Sequence, residues 1–126
     1  MRNRAGKTLR LKNSREISRM FDRGVRARDA LITLIASRRD EGAASPSRLA
    51  AAVSGRHGGA VVRNRIKRLC REAFRTSRDR IASGWDFVVL PRVGANITLA
   101  GLAESMIVLT AKISAAEKAK ETDDGS

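Results

Sequence analysis

A strongly basic segment lies near the middle of the chain. Residues 61–75, VVRNRIKRLCREAFR, hold six cations and a single acid, Glu72. The cations are Arg63, Arg65, Lys67, Arg68, Arg71 and Arg75. Because a guanidinium group binds phosphate oxygens bidentately and stacks on nucleobases, a segment so rich in arginine favours contact with a nucleic acid.

The same segment is amphipathic at helical spacing. Apolar residues recur at the i, i+3, i+4, i+7 and i+8 positions of one helix face. They are Ile66, Leu69, Cys70, Ala73 and Phe74, and the opposite arc carries Asn64, Lys67, Arg68, Arg71 and Arg75. Like charges four residues apart destabilise an isolated helix by roughly a few tenths of a kcal/mol per pair, and a solvated helix face ordinarily mixes both signs. The unmixed cations therefore indicate a polyanionic partner.

The composition of the whole chain supports the same interpretation. Lys and Arg total 26 of the 126 residues and Asp and Glu only 13, which gives a net charge of +13, while 42% of the residues are hydrophobic. This length and hydrophobic fraction predict one globular domain. Nucleic acid is favoured over an anionic membrane surface, because phosphate contacts release counterions and no basic helix here has a large exposed apolar face.

RNA is favoured over duplex DNA as the nucleic acid. A helix-turn-helix DNA-binding protein needs a second helix, joined by a tight turn, in front of its recognition helix. In this chain, strand-like residues and the sequence GRHGG at 55–59 precede the basic helix instead.

Residue types that could carry out catalysis are sparse. A metal-dependent nuclease needs clustered carboxylates, but the adjacent acids at 40–41 lie in a predicted loop and those at 123–124 in a polar tail, where nothing predicts a supported metal site. A metal-free ribonuclease needs a general acid and a general base, and His57 is the only histidine. Cys70 falls on the apolar helix face, where a buried thiol is not a nucleophile. We predict no catalytic residue and no metal site in the polypeptide, and expect His57 to contact solvent or phosphate.

Periodicity and turn residues place the elements around the basic helix. Residues 13–24, NSREISRMFDRG, predict a short helix with an approximate capping box at its start and Gly24 at its end. Strands are predicted at 30–36, at 48–54 and at 85–91, the last being a continuous apolar run that suits burial on both faces.

A long amphipathic helix is predicted after a Thr98 cap. Its apolar stripe consists of Leu99, Leu102, Met106, Leu109 and Ile113. The order of helix, strands, helix, strand and helix predicts an α+β sandwich, in which helices pack on a single sheet.

Both ends of the chain are polar. We predict a basic flexible arm at 1–12, the folded domain at 13–116 and a disordered tail at 117–126. No apolar run approaches membrane-spanning length, and the first sixteen residues lack the apolar segment of a secretory signal, although their arginines are also compatible with a mitochondrial presequence. The single cysteine fits a reducing, cytoplasmic compartment.

Residues 60–75, AVVRNRIKRLCREAFR, resemble the signature of the protein subunit of bacterial ribonuclease P, with its central RNR and its closing REAFR. The likeness extends more loosely to three further stretches. These are LKNSREISRMFDRG as the family's first helix, RLAAAVSGR as the strand before the signature, and WDFVVLPRVGA as the central strand and turn. The resemblance covers residues 9–115, and a sixteen-residue match of this kind is specific.

The resemblance implies both a fold and a function. The fold is a single-domain, two-layer αβββαβα sandwich with a four-stranded sheet and a left-handed βαβ crossover, a hand that the general rule for crossovers does not predict. The function is that of the RNA-binding subunit of an endoribonuclease, which assists a catalytic RNA in removing the 5′ leader from precursor tRNA. The partners are that catalytic RNA and precursor tRNA, with no membrane and no obligate protein partner. The Mg²⁺ ions are bound mainly by the RNA.

Two binding sites follow from the resemblance. The helix with the RNR sequence contacts the catalytic RNA, which maps onto Arg63, Asn64, Arg65, Lys67, Arg68, Arg71 and Arg75. A cleft between the first helix and the sheet takes the single-stranded leader, which maps onto Ile17, Phe21, Thr33 and Ile35, with Arg63 and Asn64 at its border.

The leader cleft departs from the family pattern at two places. Ile17 and Ile35 stand where aromatic residues are usual, and Gly55 and Arg56 stand where two lysines are common. Stacking of a base on an aromatic side chain is worth about 1–3 kcal/mol. We therefore predict weaker or less sequence-sensitive leader binding than in a typical family member.

Three rival functions stay open on the residues alone. A structural RNA-binding protein of the ribosomal type, without a role in tRNA processing, fits the charge and size equally well, and only the RNR segment argues against it. An autonomous nuclease would cleave RNA without an RNA subunit. A DNA-binding module would bind duplex DNA in preference to RNA when the two compete.

Overall fold

Three α-helices and four strands occur within residues 10–40 and 42–125, the part of the chain that the computed structural model describes. The helices are α1 (Ser14–Arg23), α2 (Ala60–Thr76) and α3 (Leu99–Gly125). The strands are β1 (Val25–Arg28), β2 (Ile32–Arg38), β3 (Arg48–Ala51) and β4 (Trp85–Pro91). Side chains are described as far as residue 119. The chain order is αβββαβα, as the resemblance implies.

The strands form one mixed sheet in the order β1-β2-β4-β3. β1 and β2 make an antiparallel hairpin, β4 runs antiparallel to β2, and β3 runs parallel to β4. Because the parallel pair is connected through α2, the basic helix is the crossover of a βαβ unit. The predicted α+β class with a four-stranded sheet is confirmed.

One face of the sheet packs against α2 and α3. Leu34, Leu49 and Phe87 project from three strands and meet Phe74 of α2 and Met106 of α3, and each of these side chains is at most 3% exposed. Complete burial of a side chain of this size contributes roughly 1.5–3 kcal/mol. This layer therefore holds α2 firmly against the sheet.

The opposite face of the sheet is covered in part by α1. Met20 of α1 packs on Ile35 and Val88, and Leu11 closes the same small apolar cluster. The helices are thus divided between the two faces, with α1 alone on the second one. The residues packed around this cluster, among them Ala50, Ala52 and Leu90, are only partly buried.

Asparagine and glycine bound α1. Oδ1 of Asn13 accepts two backbone N–H groups of the first turn, at 2.9 and 3.1 Å. The carboxylate of Glu16 binds Arg48 and does not complete the predicted capping box. Gly24 ends the helix with φ of −67°, and a Cβ there would lie 2.6 Å from the carbonyl oxygen of Met20. Close packing, and not a left-handed turn, requires glycine at this position.

Two predicted strands have shifted boundaries. β2 begins at Ile32 and not at residue 30, because Oδ1 of Asp29 accepts the N–H groups of Leu31 and Ile32 at 2.8 and 2.9 Å and so forms a turn in front of the strand. β3 ends at Ala51 and not at residue 54, although the N–H of Ala52 still donates to Val89 of β4. The third predicted strand, 85–91, is confirmed as β4.

β1 was not predicted from the residue pattern. Its sequence is Val-Arg-Ala-Arg, which alternates between half-buried and exposed positions over only four residues. A short edge strand with charged side chains on one face carries a weak signal, because it contributes little apolar surface.

The structure describes parts of both predicted terminal segments. Residues 1–9 of the predicted arm lie outside the described residues, but Leu11 is buried and its N–H donates to the carbonyl of Leu49 at 2.9 Å. At the other end, α3 continues to Gly125, so residues 117–125 of the predicted tail have helical conformation.

The long helix α3 follows its predicted cap, since Oγ1 of Thr98 accepts the N–H of Gly101 at 3.1 Å. Leu99 of the predicted stripe is 39% exposed, whereas the other four members are buried. Contrary to the sequence expectation, residues Leu99–Ala119 are long and apolar enough to cross a membrane, with a mean hydropathy of 1.4. The core helix of a globular domain meets the same criterion, and the buried stripe of α3 packs in the core of this one.

Candidate nucleic-acid interface

The back of α2 is fixed in the core. Ile66, Cys70, Ala73 and Phe74 are buried, and the ring of Phe74 meets that of Phe87 edge to face at a centroid distance of 6.2 Å. Together with the partly buried Leu69, these are the five positions that the sequence predicted for the packed face. The prediction of an amphipathic, docked helix is confirmed.

The front of α2 forms what we call the basic surface. Its members are Asn64, Arg65, Lys67, Arg68, Arg71 and Arg75, all exposed except Lys67, which is half-buried. At 1.5 Å of rise per residue, Arg68 and Arg75 are about 10 Å apart along the helix axis. Arg75 pairs with Glu72. No carboxylate pairs with Arg65, Lys67 or Arg68 within the described part of the chain.

Arg10 joins this basic surface from the N-terminal segment. Together with Arg68, Arg71 and Arg75 it borders a cavity of about 210 Å³, whose apolar lining includes Leu49. Partial burial and the nearby charge of Arg10 lower the pKa of Arg71, whereas Arg75 in the same cavity is paired with Glu72. Sequence reasoning missed Arg10, because its position depends on the long-range bond between Leu11 and Leu49.

The N-terminus of α2 lacks an acidic or side-chain cap. Gly59 precedes the helix without a capping side chain, and the first turn contains no acidic residue. The first N–H groups of a helix have no intrahelical acceptor and favour an anion. Arg63 lies in this turn, half-buried, and its Nε is buried without a hydrogen-bond partner among the described residues. Both features favour a negatively charged ligand at this end of α2.

His57 fixes the loop in front of α2. Its Nε2 lies 2.8 Å from the carbonyl oxygen of Pro91, and its Nδ1 accepts the N–H of Ser54 at 3.2 Å. The expectation that His57 contacts solvent or phosphate is wrong, since both ring nitrogens bind the protein's own backbone. The contact places the start of α2 beside the end of β4.

The second predicted site lies on the sheet face that carries α1, and we call it the α1 cleft. It consists of Ile17, Thr33, Ala50, Ala52 and Leu90, which are all half-buried. Thr33 and Leu90 are opposite each other in the β2–β4 ladder. Because Leu90 adjoins Pro91, the cleft reaches the loop that His57 fixes to the start of α2.

The predicted leader residues do not all reach this cleft surface. Ile17 and Thr33 belong to it, and Phe21 is 37% exposed, with the guanidinium of Arg26 6.0 Å from its ring centroid. Ile35 is completely buried under α1, so it contributes no exposed surface to the α1 cleft. Sequence reasoning missed Ala50, Ala52 and Leu90. Strand alternation could have found them only after the register between β3 and β4 was known.

A charged cluster beneath α1 fixes the helix over the sheet. Nε and Nη2 of Arg48 donate to the two carboxylate oxygens of Asp86 at 2.7 and 2.8 Å, and Nη2 also donates to Glu16 at 2.8 Å. The hydrogen bonds to Asp86 and Glu16 raise the pKa of Arg48 despite its partial burial. One guanidinium thus connects α1, β3 and β4.

Groups that could act as a nucleophile or bind a metal are poorly placed for it. Cys70 is completely buried, and burial raises the pKa of its thiol to about 12. The thiol is therefore protonated and inaccessible at neutral pH. Within the described residues, no three His, Cys, Asp or Glu side chains come together in a way that could hold a metal ion.

Comparison with known proteins identifies the family. The ribonuclease P family model matches residues 6–114. The chain is 35% identical over 99 residues to the ribonuclease P protein component of Brevibacillus brevis, covering 78% of this chain and 77% of that protein. It is 37% identical over 86 residues to a Bacillus cereus protein of the same name, covering 68% of this chain and 73% of that one.

Solved structures agree with this family. The ribonuclease P protein of Thermotoga maritima aligns with a TM-score of 0.71 at 26% identity, covering 80% of this chain and 94% of that one. The Staphylococcus aureus ribonuclease P protein aligns with a TM-score of 0.69 at 27% identity, covering 84% and 94%. Since the family match spans most of the chain and the fold agrees, the chain belongs to the ribonuclease P protein family.

Proposed function

We propose that this chain is the RNA-binding subunit of a bacterial-type ribonuclease P, working in the cytoplasm, where it assists a catalytic RNA in removing the 5′ leader from precursor tRNA. The observation that carries the proposal is the basic surface of α2. A buried apolar face holds it from behind, and Arg65, Lys67 and Arg68 have no carboxylate partner among the residues that the structure describes. Membership of the ribonuclease P protein family supports the same function.

The basic surface of α2, with Arg63, is the proposed binding site for the catalytic RNA. A rigid helix presents its guanidinium groups without having to order them on binding, so less conformational entropy is lost. The basic N-terminus of α2 adds backbone N–H groups to the same surface. Arg10 extends it across the cavity that Leu49 and Phe74 line.

The α1 cleft is the proposed binding site for the single-stranded leader, with Phe21 at its edge and with Arg63 and Asn64 at its border. Its half-buried side chains are aliphatic or small, so they offer apolar contact but little stacking area. Phe21 is the single aromatic residue among those assigned to the leader, and Arg26 already lies over its ring. Weak, sequence-tolerant leader binding follows from this lining.

The protein subunit, in this proposal, does not perform the hydrolysis. Cys70 is buried and protonated, and His57 uses both ring nitrogens in backbone contacts. The carboxylates of Glu16 and Asp86 are bound by Arg48, so they are poor ligands for a cation. Mg²⁺ ions bound mainly by the RNA subunit would supply the catalysis, and the polypeptide would contribute affinity for both RNAs.

The ribosomal-type alternative is not favoured. It accounts for the charge of +13 equally well, but it gives no reason for a family match over residues 6–114. It also gives no reason for an apolar cleft on the sheet face opposite the basic helix, since contact with a folded RNA backbone needs only the cations.

Reconstitution with the cognate catalytic RNA tests the proposal. At low Mg²⁺ concentration, added protein should stimulate cleavage of precursor tRNA at the mature 5′ end, because its cations replace part of the counterion requirement. The protein alone should leave precursor tRNA intact. Absence of stimulation, or cleavage by protein that has been freed of RNA, would contradict the proposed function.

A further inference from the structure

A cavity of about 210 Å³ lies within the basic surface, where α2 meets the N-terminal segment. Arg68, Arg71 and Arg75 border it from α2. Arg10 borders it from the N-terminal segment, which a parallel β-bridge to Leu49 holds against β3. Because β3 is the last strand of the sheet, the cavity lies at the edge of the sheet. Two segments that are far apart in sequence therefore build one concave site.

The lining of this cavity is mostly apolar, although four arginines border it. Leu49 and Phe74 form part of the lining, and each is only 3% exposed because its other contacts are in the core. The methylene groups of the arginine side chains add further apolar surface, since these side chains carry their charge at the end. Such a lining offers a phosphate group no hydrogen bonds, whereas it suits the face or edge of a planar ring.

The cations at the cavity are only partly neutralised by the protein. Nε of Arg75 donates to Glu72 at 3.3 Å, so these two charges balance each other. Arg10, Arg68 and Arg71 have no carboxylate partner among the described residues. Burial, and then the positive charge of Arg10, lower the pKa of Arg71, so the two guanidinium groups lie near each other. The cavity can therefore accept negative charge as well as an apolar group.

Planar cations beside an apolar lining match the two parts of a nucleotide. A guanidinium group stacks on the face of a nucleobase and binds phosphate oxygens at its edge, whereas a lysine ammonium group lacks the planar surface. Loops and bulges of RNA offer such bases, because a base in a double helix is already stacked and paired. Contact with phosphates alone would need the cations but not the cavity.

We propose that this cavity binds one unpaired nucleobase of the catalytic RNA, stacked against the guanidinium groups of Arg68 and Arg71. Leu49 and Phe74 contact the apolar part of the base, and Arg10 meets a flanking phosphate. The identity of the RNA rests on the proposed function, and the base adds a specific contact to a surface whose other contacts depend on charge. The catalytic RNA must therefore place a loop or a bulge against the C-terminal half of α2.

Methyl NMR spectroscopy of the full chain tests the site with two probes of equal charge. One is a short oligoadenylate RNA, and the other is an abasic oligonucleotide of the same length. The ring current of a stacked base should shift the methyl resonances of Leu49 upfield, and the shift should saturate as oligoadenylate is added. The abasic oligonucleotide should cause little shift at Leu49, because it brings only phosphates to the cavity.

A second methyl group distinguishes this cavity from the α1 cleft, which also takes single-stranded RNA in the proposed function. Ala52 belongs to the α1 cleft and packs on the sheet face opposite to that of Leu49. Binding in the cleft shifts the methyl resonance of Ala52 and not that of Leu49. The affinity of the cavity is therefore measured from the Leu49 curve.

The double variant Arg68→Lys/Arg71→Lys removes both guanidinium planes and keeps their charges. Its affinity for oligoadenylate, measured at Leu49, should be at least about fivefold lower than that of wild type, because stacking on the base is lost. Its affinity for the abasic oligonucleotide, measured by calorimetry, should change by less than about twofold, because the number of cations is the same. Thermal unfolding checks that the fold is intact.

The matched control is Arg78→Lys/Arg80→Lys, the same exchange at two exposed positions that do not line the cavity. Both affinities of the control should stay within about twofold of wild type. Equal weakening of oligoadenylate binding in the two double variants would overturn the site. Equal shifts of Leu49 with both oligonucleotides, or no shift with either, would also overturn it.

Chemical probing identifies the base in the catalytic RNA. One unpaired base should be protected in the complex with wild-type protein and become reactive in the complex with Arg68→Lys/Arg71→Lys. A catalytic RNA in which no unpaired base behaves in this way would contradict the proposal. Because the oligonucleotide titrations contain no catalytic RNA, they can fail while added protein still stimulates cleavage, and they can succeed when it does not. The test of the cavity is thus separate from the test of the proposed function.

Discussion

On the basic surface of α2, three cations at positions 65, 67 and 68 have no carboxylate partner among the described residues, whereas Arg48 beneath α1 is bound by Asp86 and Glu16. Arg65 and Arg68 are exposed and Lys67 is half-buried, whereas Arg48 is mostly shielded from solvent. The cations of the basic surface therefore keep their charge unpaired, whereas the charge of Arg48 is neutralised by its two carboxylate partners.

The contrast separates cations that hold the protein together from cations that are available to a ligand. A buried guanidinium without partners would cost several kcal/mol, so Arg48 must be paired. An exposed guanidinium is solvated at little cost and can keep its charge for an RNA phosphate. Substitution of Arg48 should therefore lower the stability of the fold, whereas substitution of arginines on the basic surface of α2 should weaken RNA binding and leave stability unchanged.

The largest effect on stability is expected at Arg48. Arg48→Met should lower the free energy of unfolding by about 2–3 kcal/mol, because it leaves the buried carboxylate of Asp86 without its two hydrogen bonds. Urea unfolding measures this change. Asp86→Asn and the double variant complete a thermodynamic cycle, in which the coupling energy should exceed about 1 kcal/mol. Additive effects of the two substitutions would contradict the role of Arg48 as the connection between α1, β3 and β4.

The same type of substitution on α2 should leave stability unchanged. Arg65→Ala/Arg68→Ala removes no ion pair within the described residues, and it relieves repulsion along the helix. Binding of the catalytic RNA at low Mg²⁺ should weaken at least about tenfold, and the slope of log affinity against log salt should fall by about two. Filter binding at several salt concentrations measures both quantities.

The control for this pair is Arg80→Ala/Lys112→Ala, with the same loss of charge outside the basic surface. It should retain most of the affinity and a nearly unchanged salt slope. If the double variant Arg65→Ala/Arg68→Ala bound the catalytic RNA as tightly as the wild type does, the basic surface of α2 would not be the binding site for that RNA.

The two regions also differ in how far they could be predicted from the sequence. The packed and exposed sides of α2 depend on helical spacing within 15 residues, so Ile66, Cys70 and Phe74 could be placed in the core directly. The position of Arg10 and the pairing of Arg48 depend on contacts between distant segments, for which a single sequence contains no local signal. Ile35 was assigned to the cleft by family resemblance, and its burial depends on how closely α1 approaches β2 at Gly24.

A smaller effect is expected from aromatic substitution in the α1 cleft. Ile17→Phe should increase leader-dependent affinity for precursor tRNA about three- to tenfold, because the ring adds stacking area at a half-buried position. The measurement compares affinities for precursor tRNA with and without its leader. Ile35→Phe is the matched control, since Ile35 is completely buried and a larger side chain there should destabilise the protein without any gain in leader binding.

A strong leader contribution in the unaltered protein, or no gain with Ile17→Phe, would argue that aliphatic contact already suffices in this cleft. The lining would then not limit leader affinity. The α1 cleft and the basic surface of α2 would then differ in their charge and not in the strength of their RNA contacts.

The last predicted change is a loss of stability at alkaline pH, absent at neutral pH, that arises from Cys70 on the buried side of α2. Burial raises the pKa of Cys70 to about 12, while an unfolded chain has a thiol pKa of about 8.5. Since the unfolded state loses this proton first, the contribution of Cys70 to stability is present below pH 8.5 and decreases as the pH rises towards 12. At pH 10 the loss should be about 1–2 kcal/mol relative to pH 8.

Cys70→Ala isolates this effect from other groups that titrate in alkali. The variant has a constant packing defect, but the difference between its unfolding free energy and that of wild type should shrink as the pH rises from 8 to 10. A constant difference would mean that the thiol ionises as readily in the folded protein as in the unfolded chain. In that case water would reach the back of α2, and the rigid docking on which the basic surface depends would have to be abandoned.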